Sequence, residues 1–181
     1  MTFTFTLTEN DLLQSQLFIA SKTARIKRQR VKTWLVYSIA ILLIGLMFYQ
    51  SGNIVMTYYC LIFGIIFLCF FPLYQKSYYK KHYQRFIADT YKNRFGKTTT
   101  INFTEQYIET IDITGESKIN LQEVENITET SNYFYVKMKT GGHLVIPKQK
   151  PGNIEQLRQE FKSICGKLSV HFIDDLTWRW K

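Results

Sequence analysis

Residues 33–75 read TWLVYSIAILLIGLMFYQSGNIVMTYYCLIFGIIFLCFFPLYQ, 43 positions without a charged residue. The run divides at Ser51-Gly52-Asn53, where Gly and Asn tolerate left-handed backbone angles and mark a turn. The halves, 33–50 and 54–74, are apolar all round, which suits lipid better than a helix with one wet face. At about 1.5 Å per residue they are roughly 27 Å and 32 Å long, near the thickness of a bilayer core. They read as a two-helix transmembrane hairpin. A 181-residue soluble domain has little core in which to bury two such helices side by side. The apolar run starts too far into the chain for a secretion signal, and no small-residue cleavage pattern follows it.

The flanks orient the hairpin. Lys22, Arg25, Lys27, Arg28, Arg30 and Lys32 precede it with no acid among them. Lys76, Lys80, Lys81, Arg85, Lys92, Arg94 and Lys97 follow it with only Asp89 opposed. The turn carries no charge. An excess of Lys and Arg marks the cytoplasmic side, so both termini are expected in the cytoplasm, with the chain a multi-pass protein of the cell (inner) membrane. Trp34, Tyr37, Tyr49, Tyr58, Tyr59 and Tyr74 lie mostly near the span ends, where amphipathic rings favour the headgroup layer. Within the hairpin, Gly64 is expected near Ala40 and Gly45 near Tyr58, small residues that let helices approach. Pro72 is expected in the last turn of the second span, where a kink is tolerated.

The net charge of +9 is unevenly spread. Residues 1–97 hold 13 basic and 3 acidic side chains, whereas residues 98–181 hold 10 and 11. The basicity therefore belongs to the flanks of the hairpin. Membrane topology and anionic headgroups explain it better than a nucleic-acid surface, which wants a basic face on a folded module. Lys22, Arg25, Lys27, Arg28, Arg30, Lys32, Lys76, Lys80, Lys81 and Arg85 are the candidate contacts to anionic lipid. Cys60, Cys69 and Cys165 form no CxxC or Cys/His cluster, so no metal site and no disulfide framework is expected.

The chain opens TFTFTLT, with Phe3, Phe5 and Leu7 alternating with threonines: a period-2 strand with one apolar face. A lone strand is unstable, so residues 1–8 are expected to join the sheet formed beyond residue 97. Residues 9–97 read as helices around the hairpin. Thr8 or Asn10 caps the first, which is expected to run straight into the first span. The second span is expected to extend past Lys76 and stop near Gly96. The two extensions would pack as a short cytoplasmic stalk.

Residues 98–181 read as a cytoplasmic β-domain. Its strands are 98–103 (Ile101 and Phe103 inward), 107–113 (Tyr107, Ile111 and Ile113 on one face), 117–121, 123–128, 133–139 and 143–147. Pro151-Gly152-Asn153 opens a helix from Ile154 to about Cys165, which Gly166 ends. The result is an α+β membrane protein: a transmembrane hairpin with helical extensions and a small antiparallel β-roll closed by a C-terminal helix. Pleckstrin-homology-like (PH-like) domains share this order, as do other small sheets. The tail, residues 167–181, ends Trp178-Arg179-Trp180-Lys181. It reads equally as an interfacial anchor, a cover for the sheet or a disordered end.

The layout resembles the bacterial YcxB-like membrane proteins. At the N-terminus the resemblance rests on FTFTLTENDLLQSQLFIASKT (residues 3–23) followed by the basic run and the hairpin. At the C-terminus it rests on SKINLQEVENITETSNYFYVKM (117–138) and HLVIPKQ (143–149), with Ile119, Val124, Ile127, the strand from Tyr133 and Ile146-Pro147-Lys148 at family positions. Leu121 departs from the pattern, which has an aromatic there. The resemblance implies an integral membrane protein of unknown specific activity with a cytoplasmic β-domain, and brings no catalytic residues.

Three functional classes remain. A membrane-tethered binding or regulatory module leads: the hairpin holds the β-domain at the inner leaflet, where it meets lipid or an unidentified membrane or cytoplasmic protein partner. An accessory subunit or small oligomeric component of a transport complex comes next. Two spans cannot enclose a pore, and neither carries the ionisable residues that mark ion paths. An enzyme comes last. His82, His143 and His171 are scattered, Asp174-Asp175 reads as a solvated turn, and no phosphate loop, GxSxG or HExxH is present. No cofactor, metal or nucleic acid is expected; a homo-oligomer is allowed.

Overall fold

The uncharged run folds as two long helices in a computed structural model that describes residues 2–92, 95–149 and 153–180. The chain forms two units, Met1–Ser15 with Phe86–Arg179, and Gln16–Arg85 with Trp180–Lys181. The architecture is α+β.

In the first unit, strands β1 (Thr2–Thr6), β2 (Thr98–Phe103), β3 (Tyr107–Asp112) and β4 (Gly115–Asn120) form one antiparallel sheet in that order. β1 pairs with β2 in the register Phe3↔Ile101 and Phe5↔Thr99. The alternation of its sequence puts Phe3 and Phe5 into the core and leaves Thr2 and Thr4 outside. The second sheet contains β5 (Val124–Glu129), β6 (Tyr133–Met138), β7 (His143–Pro147) and β8 (His171–Asp174), in the order β7-β6-β5-β8. A register shift between Val124 and Asn126 turns Val124 and Ile127, three residues apart, toward the same core.

Helix α4 (Ile154–Leu168) closes the unit. Asn153 caps it, its side-chain oxygen accepting from the Gln156 N–H at 3.1 Å. Leu157, Phe161, Ile164 and Cys165 recur at helical spacing and are buried. Phe161 meets Phe103 of β2 edge-on (5.4 Å between ring centroids) and Phe134 of β6 (5.1 Å). One ring thereby joins the two sheets. Burial pushes the Cys165 thiol up to about 11, so it packs as an apolar group.

The structure corrects several expectations. On β3 the inward residue is Ile108, fully buried, while Tyr107, Ile111 and Ile113 are exposed. Ile108 lies opposite Phe103, and that pairing selects the face. Among the described residues the two sheets hold eight strands, and β8 is parallel to β5, with Ile127 opposite Phe172. α4 continues through Gly166 and ends at Ser169, which takes the left-handed conformation (φ 54°). The Pro151-Gly152 turn lies outside the described residues.

In the second unit, α1 (Glu9–Lys22, from Gln16 on) does not run unbroken into the first span. It stops at Thr23, whose backbone is extended and whose hydroxyl bonds the Ile19 carbonyl at 2.8 Å. α2 (Ala24–Gln50) and α3 (Ile54–Thr90) then form the hairpin about Gly52 (φ 74°). At 27 and 37 residues, both are long and apolar enough to cross a membrane, and no residue in the most apolar window of either is buried. They are therefore not buried in a core within this chain. α3 passes through Pro72, which lies well inside it, and ends at Thr90, short of Gly96. A Cβ on Gly45 would stand 3.4 Å from Cys60, and one on Gly64 would stand 3.4 Å from Ile41. These replace the expected partners Tyr58 and Ala40, a shift of one or two residues along the facing helix.

Candidate functional site

The basic residues that precede the apolar run line the end of α1 and the first three turns of α2. Lys22 ends α1 with its ammonium 5.6 Å from the Phe18 ring. Arg25, Lys27, Arg28 and Lys32 are exposed on α2, and Arg30 is half-buried. On α3, Lys76, Lys80, Lys81 and Arg85 are all exposed. They are spread around their helices, as solvated cations are.

Arg30 is the exception, because its surroundings are built. Gln75, buried on α3, donates its amide N–H to the Arg30 carbonyl at 3.1 Å. The guanidinium lies 5.8 Å from the Tyr79 ring and 5.2 Å from the Trp180 ring. Cation–π contacts of this kind hold a guanidinium in place. Trp180 is itself buried, and its indole N–H donates to the Lys76 carbonyl at 3.1 Å. Trp180 thus packs beside Arg30.

Beside Arg30 lies a groove of about 410 Å³ lined by Lys27, Arg30, Val31, Trp34, Pro72 and Gln75. It stands where charge gives way to the uncharged run: Lys32 is the last charge before the hairpin and Lys76 the first after it. The Trp34 Nε1 is buried and has no hydrogen-bond partner among the described residues. Lys27, Arg30 and Trp34 were each legible as an interfacial residue. Trp180 reads as an interfacial anchor only as one of three options for the tail, and Gln75 and Pro72 do not read so, because neutral side chains carry no charge signal.

The first unit holds two polar clusters of a different kind. The Glu129 carboxylate, almost fully buried, accepts from the Lys148 ammonium at 2.5 Å and from the Arg158 guanidinium at 2.6–3.0 Å; Arg158 also pairs with Glu155. Burial alone would push the Glu129 pKa up, but hydrogen bonds from Arg158 and Lys148 outweigh it and hold the carboxyl below its usual range. Asp11 is the centre of the other cluster, accepting from the Thr8 amide (2.8 Å), the Thr8 hydroxyl (2.7 Å) and the Tyr133 phenol (2.9 Å). Both clusters tie distant segments together with their hydrogen-bonding capacity spent on each other, so they read as structural.

The histidines stand on separate elements: His82 on α3, His143 at the start of β7 and His171 on β8. His143 is half-buried, with Nδ1 3.1 Å from the Gly141 carbonyl, and burial lowers its pKa. Asp174 closes β8, and the Asp175 amide donates to the Glu129 carbonyl at 2.8 Å. Among the described residues no three His, Cys, Asp or Glu side chains gather as a metal site.

No curated protein and no solved structure matches the chain. The family model described as YcxB-like protein matches residues 103–161, from the last residue of β2 to Phe161 of α4. The N-terminal stretch 3–23 and the hairpin lie outside that match. The matched part, residues 103–161, carries SKINLQEVENITETSNYFYVKM and HLVIPKQ, and over it the chain is similar to the YcxB-like family.

Proposed function

We propose that the chain is a membrane-tethered binding or regulatory module. α2 and α3 cross the inner membrane, both termini stay in the cytoplasm, and the first unit is presented at the inner leaflet. The observation that carries this reading is the charge pattern of the hairpin. It has a dense basic collar at each open end, no charge at its closed end, and apolar surface with nothing buried between. Each collar residue near an anionic surface contributes about 1 kcal/mol of attraction. The collar would therefore both orient the hairpin and read the charge of the leaflet. The reading includes no catalytic step, no cofactor and no nucleic acid.

The first unit is read as PH-like. In support, a four-stranded meander is followed by a three-stranded one and a closing helix, with β8 as an addition. Fold likeness names no ligand.

A second reading, an accessory subunit or small oligomer in a transport complex, draws on one observation. A groove of about 600 Å³ along the hairpin has the small residues Gly45, Cys60 and Gly64 among its lining, and small residues let another helix approach. A chain that stays monomeric in mild detergent across concentrations would count against it.

Topology is tested by labelling single cysteines in a cysteine-free background with a membrane-impermeant maleimide. Ser51→Cys should label in intact cells, and Thr140→Cys only after lysis. The opposite pattern would overturn the proposal. Co-purification in mild detergent, with proteins and lipids identified by mass spectrometry, then separates the two readings: enrichment of anionic lipid supports the module, and one stoichiometric membrane protein supports the subunit.

A further inference from the structure

We propose that the groove of Lys27, Arg30, Val31, Trp34, Pro72 and Gln75 is a specific seat for one anionic phospholipid. This rests on the inner-leaflet reading above and goes further, since a collar that only senses surface charge needs no seat. Three observations meet at this place. The first is the buried Trp34 Nε1–H without an acceptor. Buried donors are rarely left so, and an orphan of this kind points to a water, ion or ligand that completes it. The indole lines the groove, and we assign a phosphate or ester oxygen seated there as the acceptor of its N–H hydrogen bond.

The second observation is charge that is already organised. Lys27 and Arg30 both line the groove. The Arg30 side chain is held by the Tyr79 and Trp180 rings, and its backbone is tied to α3 through Gln75. Fixing a guanidinium before the ligand arrives lowers the entropic cost of binding. Arginine also matches a phosphate by two parallel hydrogen bonds. The third is the apolar remainder: Val31, Pro72 and the indole face offer nothing to a free phosphate but suit the glycerol and first methylenes of a lipid. The groove stands at the edge of the uncharged run, so with the hairpin in a bilayer its neighbour is lipid. A phospholipid therefore fits better than a peptide or a soluble anion.

The test uses the full chain, delipidated in mild detergent and titrated with phosphatidylglycerol or phosphatidylcholine, with bound lipid counted by native mass spectrometry. One phosphatidylglycerol per chain should be retained in a saturable step that phosphatidylcholine does not reproduce and inorganic phosphate does not displace. Trp34→Phe keeps an aromatic ring, smaller than the indole, and removes the N–H; it should weaken retention about 5- to 10-fold. Arg30→Gln should weaken it at least as much, and the paired Lys80→Gln and Lys81→Gln substitutions should leave the step intact. Displacement by inorganic phosphate would mean a plain anion site and overturn the lipid assignment. Equal weakening by every basic substitution, without saturation, would overturn the seat while leaving the leaflet-reading proposal standing. Indifference to phosphatidylglycerol altogether would overturn both.

Discussion

Tyr133 donates its phenolic O–H to the carboxylate of Asp11 at 2.9 Å, across 122 positions of sequence. Asp11 stands in the first turn of α1, where it also accepts from the amide and hydroxyl of Thr8. The Asp11 amide donates in turn to the Thr8 hydroxyl at 3.3 Å, which completes a capping box. The helix cap that follows β1 is thereby pinned to β6. Burial, and then the Asp11 contact, raise the Tyr133 pKa well above that of a free phenol, so the bond stays made at any physiological pH.

Tyr133→Phe removes the donor and leaves the buried carboxylate short of a partner. The expected cost is about 1–3 kcal/mol. It should appear as faster amide hydrogen exchange in β1 and the first turn of α1, with the hairpin unchanged. Exchange identical to wild type would show that this bond does not hold the N-terminal segment.

Glu129 predicts an acid transition. Its folded pKa lies below its unfolded one, so its contribution is present above the ordinary glutamate range, near pH 4.3, and is lost as pH falls through the folded value. Near-ultraviolet circular dichroism of the β-domain signal should fall on acidification, less steeply in Glu129→Gln. Glu129→Ala, which strands two cations, should cost about 3–5 kcal/mol at neutral pH. An acid transition of equal steepness in Glu129→Gln would assign it to other carboxylates, Glu109 with its Lys118 and Asn102 partners first among them.

A Cβ on Gly45 would stand 3.4 Å from the Cys60 Cβ, close to the short end of the roughly 3.5–4.5 Å between Cβ atoms of paired cysteines. Gly45→Cys, in a Cys69→Ser background, should form an intramolecular disulfide with Cys60 under mild oxidation and run as a compact band on a non-reducing gel. Leu46→Cys, one position on, should do so far less. Equal yields at both positions would reject the helix register.

Phe161→Ala should cost about 3–5 kcal/mol, because the ring fills the space between Phe103 and Phe134 and its loss opens a cavity between the sheets. Phe161→Leu should restore most of the loss. Chemical denaturation of the full chain in detergent, followed by β-sheet circular dichroism, measures both. A loss under 1 kcal/mol for Phe161→Ala would mean that the sheets are held together elsewhere.

The hairpin, the strand character of TFTFT, most β-strands and helix α4 were legible because each rests on a local pattern. Where local patterns were ambiguous, the chain itself could not choose. Tyr107, Ile108, Ile111 and Ile113 put apolar side chains on both faces of one strand, and only the neighbouring Phe103 selects Ile108 for the core. HFID, at 171–174, is too short and too polar to announce a strand; it becomes one by pairing with β5, more than forty residues earlier. Gly166 looked like a stop, yet glycine costs a helix only about 1 kcal/mol, which the flanking buried Cys165 and Ile164 outweigh.

The candidate site divides in the same way. Its cations and its place at the edge of the apolar run follow from sequence, because both are read from composition and charge summed along a helix. Which cation is held follows from tertiary structure alone. Gln75, Tyr79 and Trp180 converge on Arg30 from 45, 49 and 150 positions away. Their short-range contacts, of a few ångströms, exist only once the hairpin has closed and the tail has returned to it.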